Sequence, residues 1–103
     1  MDYPLYKDKL LDLLPSICMA AHADKKVDIK QQEKLFGLLK EIARTYHSES
    51  WIPKNIIATL LQTYLMIEPE IQYAQGTDKE FLIKFCWELQ ENIMNILNAS
   101  LIR

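Results

Sequence analysis

Apolar residues recur along this chain at spacings of three and four, the repeat that lines one side of an α-helix, and nowhere alternate as a half-buried strand would. Leu10, Leu11, Leu14, Ile17, Cys18 and Ala21 mark a first helix. Pro15 lies within it, lacking a backbone donor and crowding the preceding turn, so a kink or a fresh helix start is expected there. Asp28, followed by Gln31 three residues later, reads as the cap of a second helix. That helix runs to about Tyr46 with the stripe Leu35, Phe36, Leu39, Ile42, Ala43 and Tyr46. The short link Asp24-Lys25-Lys26-Val27 folds the two helices into a hairpin. After a loop at His47-Ser48-Glu49-Ser50, Pro53 sits in the first turn of a third helix striped by Ile56, Ile57, Leu60, Leu61 and Tyr64, which ends before Pro69. An irregular loop is expected from Pro69 to Gly76. The capping box Thr77-Asp78-Lys79-Glu80 then opens a fourth helix reaching nearly to the C-terminus. The fold class predicted is all-α: a compact bundle of four main helices, or five if the first breaks at Pro15.

The fourth helix carries more apolar surface than one neighbour covers. Leu82, Phe85, Cys86, Leu89, Ile93, Ile96 and Leu97 fill one arc, and Ile83, Trp87, Met94 and Leu101 extend it sideways. Either the helix is central and touched by all the others, or the side arc buries against a second copy or a partner helix. In the second case Ile83, Trp87, Met94 and Leu101 are the partner-binding residues.

Composition narrows the classes. The 103 residues, 50% hydrophobic and 25% charged, suit one globular domain over 1–103, large enough to be stable without a metal or disulfide framework. A net charge of -2 with interspersed signs offers no field for phosphates, so nucleic acid is not an expected partner. Cys18 and Cys86 lie in apolar patterns without Cys-x-x-Cys spacing and read as free thiols in a reducing compartment. The start Met1-Asp2-Tyr3-Pro4 lacks a secretion pattern, and no run approaches the roughly 18 apolar residues a membrane span needs. A cytoplasmic location without direct membrane insertion is expected.

Little catalytic chemistry is legible. His22 and His47, the two histidines, sit in no local signature with a nucleophile, and a hydrolase built on them is the least favoured class. Two glycines, Gly37 and Gly76, provide no phosphate-cradling loop. The local acid cluster runs from Asp24 through Asp28 to Glu33. Read as an EF-hand from Asp24 it fails, with Lys26 third, no glycine sixth, Lys30 seventh and Leu35 twelfth. The acids are read first as helix-end residues, Asp28 capping the second helix, Glu33 on its positive end and Asp24 in the turn. Their alternative role is as ligands for a divalent cation of the calcium type, which Lys25, Lys26 and Lys30 oppose. His22 reads as a helix-end residue near the dipole's negative pole. Tyr3, Tyr6, Trp51 and Tyr73 read as rim aromatics, and Glu68-Pro69-Glu70 as a solvated turn.

The segment Ile17-Cys18-Met19-Ala20-Ala21-His22-Ala23-Asp24-Lys25-Lys26-Val27-Asp28, through Glu33-Lys34-Leu35-Phe36, resembles the signature of the tellurite-resistance TerB-like helical domains. In that family an apolar helix ends in Ala-x-Ala-Asp-Gly. A small apolar residue, Asp or Ser, and a Glu some five residues on then open the next helix. Ala21, Ala23, Asp24, Val27, Asp28 and Glu33 match, and Lys25 stands in place of the usual glycine. Recognisable residues cover roughly 10 to 45. The second acidic turn of many members has no counterpart here, as expected of a short, divergent member. The resemblance implies an all-helical protein without enzymatic activity, linked to tellurite or other stress and to membrane-associated complexes. It also implies Asp24, Asp28 and Glu33 as the residues to test for a cation.

The sequence thus predicts a non-catalytic, TerB-like module with no required cofactor. Its partner is expected to be a protein or a second copy of itself, and a divalent-cation sensor using the turn 24–33 is the alternative.

Overall fold

The computed structural model describes residues 3–47 and 51–101, with the side chains of 3–5 and 99–101 excepted. Four α-helices follow in order: α1 (Tyr3–Asp24), α2 (Ile29–Thr45), α3 (Lys54–Ile67) and α4 (Gly76–Leu101). A 3-10 segment, Glu68–Tyr73, links the last two. No strand occurs among the described residues. The all-α bundle predicted from periodicity is the observed architecture. No helix among the described residues is long and apolar enough to cross a membrane.

Pro15 does not break the first helix, which continues through it. A proline deprives the carbonyl four residues earlier of its donor, at a cost of about 3 kcal/mol in a helix interior. Pro15 and Leu11 both face solvent, where water can satisfy that carbonyl, and Leu10, Leu14, Ile17 and Ala21 are buried on either side. Core burial on both flanks offsets the local penalty.

α1 and α2 run antiparallel. The Tyr6 hydroxyl near the start of α1 hydrogen-bonds Thr45 Oγ1 and lies 3.4 Å from Glu41 Oε2 near the end of α2. Gln31 Nε2 at the start of α2 donates to Ser16 Oγ at 3.1 Å. Three sequence expectations change here. Tyr6 is a core residue, 2% exposed, its ring tilted against that of Tyr46. Gln31 reaches across to α1 and closes no capping box. Asp28 occupies the N-cap position with extended backbone, yet its side chain makes no capping hydrogen bond.

The inner side of α3 is Ile56, Leu60, Thr63 and Ile67. Leu61, expected in the stripe, faces outward, and Thr63 takes an inner position because its hydroxyl is satisfied by the Thr59 carbonyl at 2.8 Å. Pro53 is the N-cap, one residue before the first turn. The expected irregular loop is largely the 3-10 segment, and α4 begins at Gly76 with φ +59, so Thr77 lies inside the first turn and is not its cap. Residues 48–50 of the expected loop lie outside the described residues.

The buried side chains form one cluster fed by all four helices. α4 packs on α2, α3 and the 3-10 segment, while α1 packs on α2 and α3. Phe85 is central to the α2–α4 contact, its ring 5.4 Å from that of Phe36. At about 1.5 Å per residue, α4 is about 39 Å long and spans most of the 42 Å long axis of the molecule.

Candidate functional site

The acidic turn does not converge. Asp24 ends α1, Asp28 precedes α2, Glu33 lies in its second turn, and all three are exposed. No group of three or more His, Cys, Asp or Glu side chains comes close enough to hold a metal ion among the described residues. What the turn does build is an ion-pair clamp that the sequence reading missed. Glu70, in the 3-10 segment, accepts from His22 Nδ1 at 2.8 Å and from Lys25 Nζ at 3.0 Å. These bonds, His22 first and Lys25 second, hold its carboxyl below the ordinary range. Glu70 is therefore no member of a solvated turn; its side chain is only 15% exposed. Lys25 also donates to the His22 carbonyl, and its own backbone N–H closes the last turn of α1 on Ala21 O at 3.1 Å. It does so at φ +58, the left-handed conformation that favours glycine.

The remaining candidate chemistry is dispersed. His22 lies at the end of α1 that adjoins the start of α2, and His47 follows the far end of α2, so the antiparallel hairpin holds the two histidines at its opposite ends. Cys18 and Cys86 are free thiols. Burial raises both, Cys86 to about 11 with a smaller push from Glu68, which disfavours the nucleophilic thiolate. Tyr73 and Trp51 are exposed, and the Tyr3 side chain lies outside the described residues.

The surface that stands out is the outer face of α4. Its inner arc, Leu82, Phe85, Cys86, Leu89, Ile93 and Ile96, is buried, whereas Trp87 is 71% and Met94 48% exposed. Ile83 and Leu97 are half-buried, and the Leu101 side chain lies outside the described residues. With α2, α3 and the 3-10 segment as its main neighbours, α4 presents this side to solvent. Trp87, Gln90, Glu91 and Met94 line a shallow depression of about 390 Å³. Their spacing of i, i+3, i+4 and i+7 is that of the four residues framing a hole for an incoming side chain in helix-on-helix packing.

α3 meets this surface at its edge. The Tyr64 hydroxyl approaches Gln90 Oε1 at 3.5 Å, which joins the two helices at the edge of the depression. Leu61, one turn before Tyr64, is 46% exposed and Leu65, one turn after Leu61, 67%. Sequence spacing could have found Gln90, three residues from Trp87 on the same face. The contribution of α3 depends on how it lies against α4 and has no local signal. A second, mainly apolar groove of about 380 Å³ runs between α1 and α3, past Leu11, Cys18, Met19 and Met66.

No protein-family model, curated protein or solved structure matches this chain. The fold and the surface together define an all-helical bundle with an uncovered apolar face on its longest helix.

Proposed function

We propose that the protein is a non-catalytic helical module that acts by binding a protein partner through the outer face of α4. The observation that carries the reading is the depression framed by Trp87, Gln90, Glu91 and Met94, with Trp87 71% exposed on a helix whose other side is core. Leaving a tryptophan in water forgoes about 2 to 3 kcal/mol of burial, and tryptophan is the residue most enriched among interface anchors. The TerB-like assignment, with its link to chemical stress, belongs to the same proposal. It draws support from the turn after α1, where Lys25, which stands in place of the family's usual glycine, has φ +58, a conformation that glycine favours.

A benzophenone-bearing phenylalanine in place of Trp87, which keeps a bulky aromatic anchor at that position, introduced in cells that express the full chain, tests the reading. Defined adducts are expected from position 87 and are expected to vanish when the probe is moved to the exposed Lys40 on α2. No adduct from position 87, or the same adducts from both positions, overturns it.

A further inference from the structure

We propose that the occupant of this face is a second copy of the same chain, with the two α4 helices packed antiparallel about a two-fold axis between Gln90 and Glu91. The inference rests on the reading of α4 as an interaction surface and names its partner.

Taking about 150–250 Å² for a large side chain, the exposed parts of Trp87 and Met94 amount to about 250 Å² of apolar surface on this face. A stable interface takes about 800 Å² from each partner, of which a little under three fifths is apolar, so these two side chains supply about half of the apolar share of one side, as suits a dimer that forms with rising concentration.

The four residues of the depression are also complementary to themselves. A two-fold interface requires that if one residue meets a second, the second also meets the first. An antiparallel pairing centred between positions 90 and 91 sets Trp87 of each copy against Met94 of the other, a favourable sulfur–aromatic contact. It likewise sets Gln90 against Glu91. The Gln90 carbonyl oxygen faces the Tyr64 hydroxyl within its own chain, which leaves the amide N–H groups to donate to the Glu91 carboxylate of the other copy. Each contact occurs twice. A parallel pairing instead stacks Glu91 on Glu91 and Lys84 on Lys84 and aligns the helix dipoles, all unfavourable. The axis falls within two residues of the middle of α4, so the helices overlap along most of their length.

The test uses the full chain in sedimentation equilibrium, with circular dichroism confirming that every variant keeps its helix content. The wild type is expected to double its mass with rising concentration, and Trp87→Ala to raise the dissociation constant by about 30-fold. Gln90→Glu gathers four carboxylates at the axis and is expected to weaken the dimer at least about tenfold. Gln90→Lys sets an ammonium against Glu91 of the other copy and is expected to preserve or tighten it. A wild type that stays monomeric at several hundred micromolar overturns self-pairing, and so does a Gln90→Glu variant that dimerises like the wild type. If Gln90→Lys weakens the dimer as much as Gln90→Glu, the antiparallel register is overturned. The crosslinker at position 87 separates the two levels of inference. An adduct of doubled chain mass supports both, an adduct of foreign mass alone refutes self-pairing and leaves the interaction surface standing, and no adduct refutes both.

Discussion

Replacing Glu70 by Gln removes the charge at the centre of the clamp between the 3-10 segment and the end of α1 while keeping an acceptor oxygen of the same shape. In the wild type one carboxylate accepts from His22 and Lys25, and the shift in its acidity is downward. The sign follows from linkage. A carboxyl whose folded value lies below its unfolded value near 4.3 stabilises the fold fully above that unfolded value, and the contribution drains away as pH falls through the lower, folded value. Exposed or half-exposed ion pairs contribute about 0.2–1 kcal/mol each. The His22 ring is largely in water, so its share belongs at the low end, and Lys25, about a quarter exposed, at the upper. The Glu70→Gln variant is therefore expected to be less stable than the wild type by about 0.5–1.5 kcal/mol at pH 7, or roughly 4–8 °C per kcal/mol in melting temperature for a domain of this size. Urea unfolding of both proteins between pH 5 and pH 2.5, the range in which the Glu70 carboxyl takes up its proton, checks this, and the gap is expected to close towards the acid end. A gap that stays constant or widens on acidification refutes the clamp, because a purely steric effect of the amide does not titrate.

Other substitutions probe the remaining local claims. Lys25→Val is expected to be less stable than Lys25→Gly by about 1–2 kcal/mol, since a β-branched residue tolerates the left-handed conformation poorly and glycine does not resist it; equal melting temperatures refute the φ of +58. Tyr6→Phe is expected to cost about 0.5–1.5 kcal/mol in denaturant unfolding through loss of the bond to Thr45, and a neutral result returns Tyr6 to the rim. Asp28→Ala, measured at high salt to screen the helix dipole, is expected to cost under about 0.5 kcal/mol, because its side chain makes no capping bond; a loss of 1 kcal/mol or more refutes this. A thiol reagent at pH 8 is expected to label the half-buried Cys18 before Cys86, which is buried and raised to about 11; the reverse order contradicts the packing of α4.

The features a helix encodes locally could be read from the chain alone. An α-helix bonds residues four apart and shows its inner side every three or four positions, so Leu35, Leu39 and Ile42, or Leu82, Leu89 and Ile96, declared their helices and their buried sides without reference to any neighbour. Trp87 and Met94 were legible too as apolar positions beyond the arc a single neighbour covers, but not whether the other helices or solvent would meet them. The tertiary structure decided everything that depends on how the helices lie against one another. It left the side arc of α4 open, with α2 and α3 against the other, and brought Tyr64 of α3 to Gln90 at the edge of that arc. It brought Glu70 to His22 and Lys25 across 48 and 45 positions of sequence, and took Tyr6 from the expected rim into the core. It kept Asp24, Asp28 and Glu33 apart, because a short turn between antiparallel helices points successive carboxylates outward into water, where each is solvated alone.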